Sequence, residues 1–127
     1  MIRIDHIGIW THDLEKVKEF YMKYFGCTVN EKYVNPTKQF ESYFLFFENG
    51  ASIELMRRAG KMESHSDHSA GLAHISIAVG SREEVDNLTA KLEMEGVIIE
   101  SKPRITGDGY YESSILDPEN NRIEIIA

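Results

Sequence analysis

Two histidines and two glutamates recur in this 127-residue chain in matching surroundings. His6 opens the run His6-Ile7-Gly8-Ile9, and His74 opens His74-Ile75-Ser76-Ile77. Glu54 sits in Ile53-Glu54-Leu55, and Glu124 in Ile123-Glu124-Ile125. The histidines lie 68 positions apart and the glutamates 70; two turn glycines, Gly26 and Gly96, also differ by 70. Such spacing indicates a duplicated unit that supplies one imidazole and one carboxylate twice. Two nitrogen and two oxygen donors can hold a divalent cation. They suit zinc, nickel, manganese, iron or cobalt better than calcium, which prefers oxygen alone.

Strand parity supports a shared site. Successive side chains of a strand point to opposite faces. His6 therefore opposes Ile7 and Ile9, and His74 opposes Ile75, Ile77 and Val79. Glu54 opposes Ile53 and Leu55, and Glu124 opposes Ile123 and Ile125. If helices cover the faces bearing those Ile and Leu residues, all four polar side chains point the other way, to a concave face. A lone charged glutamate in a half-buried strand costs several kcal/mol when unpaired. A cation bound to both carboxylates would offset that cost.

The elements that must position these residues follow from periodicity. Residues 2–10 alternate as a strand, with Ile2, Ile4, His6, Gly8 and Trp10 on one face. A helix is predicted from about Asp13 to Phe25, with Leu14, Val17, Tyr21 and Tyr24 as its stripe and Gly26 as its stop. Residues 27–33, 42–48 and 51–58 read as strands, the last two joined at Asn49-Gly50. The order then repeats. Residues 72–79 form a strand that includes His74. Ser81 and Glu84 have capping-box spacing, and Val85, Leu88 and Leu92 make a helical stripe that ends at Gly96. Residues 97–101, about 109–116 and 122–127 are strands, the last two joined by the turn Asp117-Pro118-Glu119-Asn120-Asn121. This predicts an α+β fold of two tandem βαβββ modules in one domain, 1–127. Module one covers 1–58, a polar connector 59–70, and module two 71–127.

Composition narrows the function classes. At 42% hydrophobic and 28% charged residues the chain should fold. Its apolar runs are far too short to span a bilayer, and Met1 to His6 lack the basic and apolar regions of a signal peptide. A cytoplasmic protein with no membrane partner is expected. The single Cys27 excludes an internal disulfide framework and a multi-thiolate metal cluster; it reads as a small strand residue, with Lys23 the one basic group nearby. A net charge of −7 repels phosphate backbones, so no nucleic-acid partner is expected. Arg57, Arg58 and Lys61 form a local basic cluster at a loop edge. His65 and His68 flank Asp67 in the connector and read as surface histidines. Gly107-Asp108-Gly109 is a turn rather than a phosphate cradle, because no helix follows it. Tyr110 and Tyr111 begin a strand, so one faces the cavity and the other the core.

Taken together, the motifs resemble the vicinal oxygen chelate superfamily, which includes glyoxalase I (lactoylglutathione lyase), methylmalonyl-CoA epimerase, extradiol dioxygenases and fosfomycin- and bleomycin-resistance proteins. The resemblance rests on His6-Ile7-Gly8-Ile9 followed by Asp13-Leu14, Phe20-Tyr21 and Gly26. In the second half it rests on His74-Ile75-Ser76-Ile77, then Asp117-Pro118 and Asn121-Arg122-Ile123-Glu124. It implies a curved mixed sheet around a metal cavity, and a homodimer. The set His6, Glu54, His74, Glu124 matches glyoxalase I best, with zinc or nickel as the first cations to test. That match implies a lyase or isomerase that moves a proton through a metal-chelated enediolate of a small carbonyl or thiol-adduct substrate. Glu124, and alternatively Glu54, is the implied base.

Some positions depart from the glyoxalase pattern. Trp10 stands where glutathione-using relatives carry Arg, and Arg58 where they often carry Asn, so glutathione itself is not implied. Trp10 and Arg58 are read as substrate-binding residues of a different kind. So are Arg104, in the stretch Pro103 to Gly109 that looks like a loop of fosfomycin-resistance proteins, and Tyr110. Two other readings remain open. One is a non-catalytic small-molecule binder of the bleomycin-resistance type; the other is an iron-dependent extradiol-type dioxygenase.

Overall fold

Local sequence sets the helix ends. In the computed structural model, which describes residues 1–64, 66 and 68–127, Asp13 caps helix α1 (Leu14–Phe25) by accepting the Lys16 N–H at 3.1 Å. Gly26 closes the helix at φ 65°, a left-handed conformation that a residue without Cβ adopts freely. Leu14, Val17, Phe20 and Tyr21 make its buried stripe; Tyr24, expected there, is half-buried. Helix α2 (Arg82–Met94) starts at Ser81, whose hydroxyl oxygen accepts the Glu84 N–H at 3.1 Å. Its buried residues are Val85, Thr89 and Leu92 rather than Leu88. Thr89 tolerates burial because its hydroxyl donates to the Val85 carbonyl at 2.6 Å and pairs with the Ser113 hydroxyl at 2.7 Å.

The chain divides into two compact units, Met1–Glu63 and Ser64–Ala127. The first holds α1 and the strands β1 (His6–Trp10), β2 (Thr28–Val29), β3 (Tyr33–Asn35), β4 (Phe40–Phe46) and β5 (Ser52–Arg58). They form a mixed sheet in the order β1-β5-β4-β2, with β3 also pairing β4. The single strand expected over 27–33 is thus two short pieces, both antiparallel to β4. Asn30 marks the break. Its side-chain oxygen takes the Phe44 N–H at 2.8 Å, a bond that a regular ladder would give to a backbone carbonyl.

The second unit holds β6 (Ile75–Ala78), α2, β7 (Ile99–Ile105), β8 (Tyr111–Leu116) and β9 (Arg122–Ile126), a βαβββ order with the sheet running β6-β9-β8-β7. Several bounds here differ from expectation, two of them by more than two residues. His74 lies just before β6 rather than within it. β7 runs on through Pro103 to Ile105 instead of ending at 101. Pro103 is tolerated because β7 is the sheet's edge strand, and register shifts occur between Ile99 and Arg104.

In each unit the first strand pairs in parallel with the last, and the registers correspond. Gly8 lies opposite Glu54, and Ser76 opposite Glu124. Each histidine is two residues before the residue that faces the glutamate. The offsets of 68 and 70 therefore belong to the first and last strands of the two units. Helix α1 covers Tyr43, Leu45, Ile53 and Leu55, and α2 covers Ser113, Ile115, Ile123 and Ile125, all buried. Among the described residues no helix is long and apolar enough to cross a membrane. His65 and Asp67 lie outside the described residues.

The turn before β9 offers a stability test. Buried Asp117 accepts the backbone N–H groups of Glu119 and Asn121, both at 2.9 Å, and the Asn121 side-chain amide at 3.0 Å. Asp117→Ala should destabilise the fold by about 2–4 kcal/mol, since hydrogen bonds to a buried charged group are among the costlier to remove. Urea unfolding checks this; a loss within 0.5 kcal/mol, roughly the range of a neutral surface change, would contradict it.

Candidate active site

Opposite the helix-covered face, each unit carries one histidine and one glutamate. In the first, His6 Nε2 lies 4.0 Å from Glu54 Oε1. The other ring nitrogen is already engaged: Nδ1 is 2.9 Å from Asp5 Oδ2. Asp5 in turn pairs with Arg3 at 3.2 Å, and the hydrogen bond to His6, helped by the charge of Arg3, holds its carboxyl below the usual range. A carboxylate on one imidazole nitrogen fixes the ring and leaves Nε2 as the donor for a cation. In the second unit His74 Nε2 lies 3.2 Å from Glu124 Oε2. The Ser76 hydroxyl donates to that same oxygen at 2.7 Å. Both glutamate side chains are mostly shielded, at 19% and 21% exposure, while both histidines are 40% exposed.

Each pair suits a divalent cation. Donors about 2.0–2.2 Å from a metal lie about 3 Å apart in neighbouring positions and about 4 Å apart in opposite ones. The separations of 3.2 and 4.0 Å fall in that range. Among the described residues, no group of three or more His, Cys, Asp and Glu gathers as a ready-made site.

The surroundings of the two pairs differ. The His6 and Glu54 face is aromatic and apolar. Phe44 lies opposite Glu54 and meets the His6 ring edge-on at 5.2 Å, and Phe46 stacks on Phe44 at 6.2 Å. Trp10 lies on this face with Met56 beside it in the ladder. The Arg58 guanidinium sits 4.2 Å over the Trp10 ring, and Phe40 meets the same ring edge-on. Trp10 and Arg58, singled out separately from the sequence, are therefore one stacked unit. Arg57, their basic neighbour, instead pairs with Glu41 at 3.2 Å.

The Glu124 face is polar. Ser114 lies opposite Glu124, and Arg104 opposite Glu112. Arg104 reaches the Glu112 carbonyl at 3.5 Å. Glu112 is 6% exposed, and its carboxyl is raised above the ordinary range. Burial is the main cause, followed by the charge of Glu124 and a hydrogen bond with it; Arg104 acts in the opposite direction. Tyr110 lies outside β8, in the turn where its carbonyl accepts the Thr106 N–H at 2.8 Å, and its side chain is exposed. Tyr111 faces the helix side, its hydroxyl bonded to Asp86. Cys27 is buried, and burial pushes its thiol up to about 11, so it is no nucleophile.

Asp5, Ser76 and Glu112 escaped sequence reasoning. Asp5 was legible as the acidic neighbour of His6. Ser76 sits at the register position facing Glu124. Glu112 could not be found, because its burial depends on strand pairing rather than on local pattern.

Each of the two α+β units presents one His–Glu pair on the face its helix leaves open. The chain belongs to the Glyoxalase/Bleomycin resistance protein/Dioxygenase superfamily, matching the family profile over residues 3–125. It is 24% identical over 148 residues to lactoylglutathione lyase from Schizosaccharomyces pombe, covering 98% of this chain and 47% of that protein. The chain thus spans about half the length of this curated relative. Among solved structures it is similar to the trypanothione-dependent glyoxalase I of Leishmania major (TM-score 0.80, 25% identity, 99% of this chain and 86% of that one). Glyoxalase I from Zea mays shares the fold at TM-score 0.81 and 23% identity, over 98% of this chain and 44% of that one. So does a glyoxylase/bleomycin resistance protein/dioxygenase domain from Frankia sp. EAN1pec (TM-score 0.85, 17% identity, 99% and 91%).

Glu112 generates a pH-dependent expectation. A carboxyl whose folded pKa is raised favours the folded state least where the unfolded chain is already ionised. Its penalty is therefore absent below the ordinary carboxylate range and grows as pH rises through the raised value. Glu112→Gln in chelator-treated protein should be more stable than the parent at about pH 7.5, with the gain vanishing at about pH 3.5. Urea midpoints at the two pH values measure this; a gain of equal size at both would refute it.

Proposed function

We propose that this protein is a metal-dependent lyase or isomerase of the glyoxalase I kind, in which His6, Glu54, His74 and Glu124 are the ligands of a divalent cation, zinc or nickel in the first instance. One observation carries the reading: a His–Glu pair at corresponding register positions in both units, in a chain of this superfamily. The likeness to a lactoylglutathione lyase supports it.

A cation held there would supply Lewis-acid polarisation of the substrate's oxygens. The protein's own groups do the rest. A glutamate takes the proton from a substrate C–H and returns it to the adjacent carbon. Glu124 is assigned this role, with Glu54 as the alternative. Asp5 orients His6. The Trp10–Arg58 stack offers a flat apolar surface and a cation for a substrate carboxylate or phosphate. Arg104 and Tyr110 are further substrate contacts in this reading. The substrate is a small carbonyl compound or its thiol adduct, and the replacement of the relatives' Arg by Trp10 argues for a thiol other than glutathione. A second reading has one specific support: the aromatic surface of exposed Trp10 with half-buried Phe40 and Phe44 suits a protein that only binds a small molecule.

The test pairs metal analysis with turnover. Hemithioacetals of a 2-oxoaldehyde with several thiols, glutathione and trypanothione among them, are assayed at saturating metal. Glu124→Gln keeps shape and one carbonyl oxygen but loses basicity, so turnover should fall about 100- to 10,000-fold while metal is retained. A variant as fast as the parent would move the base to Glu54. A purified parent that holds no metal and turns over no adduct would leave the binding reading in its place.

A further inference from the structure

The two glutamates match in sequence but not in their seats. Glu124 faces Ser76 on one side of the ladder and Ser114 on the other. Glu54 faces Gly8 and Phe44 at the corresponding positions. Ser76 donates to Glu124 Oε2 at 2.7 Å, and His74 Nε2 addresses the same oxygen at 3.2 Å. Gly8 has no hydroxyl to offer. A Cβ added there would lie 2.7 Å from the Met56 methyl carbon, so a thioether occupies the space that a serine would need.

We infer that Ser76 is a positioning residue that divides the labour of the two glutamates. This rests on the reading that both are cation ligands. A cation that binds through Oε2 meets an oxygen already engaged by the Ser76 hydroxyl and by His74, and the hydroxyl stabilises the carboxylate when it is away from the cation. Glu124 therefore has a second partner waiting and is the ligand able to let go. Glu54, flanked by glycine and an aromatic ring, has no such partner among the described residues and is the permanent ligand. A base that shuttles a proton must be the one that is released, because coordination removes its basicity. Ser76 thus selects Glu124 over Glu54 for proton transfer.

Calorimetric titration of the chelator-treated full chain with Co2+ alone tests this without any substrate. Ser76 is exposed, so its truncation removes little packing. Ser76→Ala should bind Co2+ about 3- to 10-fold tighter than the parent, because a competing hydrogen bond to a charged group is gone. Ser76→Thr, which keeps the hydroxyl, should match the parent. The tightening should persist in a Glu54→Gln background and disappear in Glu124→Gln, since only Glu124 receives the bond. Unchanged or weaker Co2+ binding by Ser76→Ala, in a parent that binds Co2+ well, would overturn the role of Ser76 and leave the metal site standing. An equal tightening in the Glu124→Gln background would overturn it too. A parent that binds no Co2+ would remove the metal reading itself, and this inference with it.

Discussion

The parallel pairing between the first and last strand of each unit is the constraint on which the chemistry depends. Strand pleat puts alternate residues on opposite faces, and a one-residue slip would turn Glu54 and Glu124 toward the helix. Ile53 and Leu55, like Ile123 and Ile125, bury against their helices and so lock the register. With that register set, Glu54 and Glu124 must project from the uncovered face. The histidine two residues before the facing position is then brought beside the glutamate, at 4.0 Å in one unit and 3.2 Å in the other. Core packing thus aims the polar pairs without making contact with them.

Duplication explains the likeness of the halves, and divergence shows in what surrounds each pair. The Glu54 seat is lined with Phe44 and Met56, the Glu124 seat with Ser76, Ser114 and Glu112. A carboxylate is harder to shield in the first setting unless a cation shares its charge. In the second it has hydroxyl and carboxyl partners of its own.

Much of this was legible in the sequence for a simple reason. Alternation and helical stripes are local, and they placed both helices and, within each unit, the face on which one histidine and one glutamate lie together. What failed to show was decided by distant chain segments. The division of 27–33 into β2 and β3 follows from a bond between Asn30 and Phe44. The passage of β7 through Pro103 follows from its edge position. Glu112, in the polar run Glu112-Ser113-Ser114, looks solvated until β8 is placed between β7 and β9. The stacking of Arg58 on Trp10 joins residues 48 positions apart, from different strands, on one face.

X-ray absorption at cobalt bound to the purified protein tests the central claim most directly, because imidazole rings give a distinctive outer-shell scattering. The account predicts an all nitrogen and oxygen first shell that includes two imidazoles, reduced to one in His6→Ala and in His74→Ala. A first shell without imidazole, or one unaltered by either substitution, would contradict it.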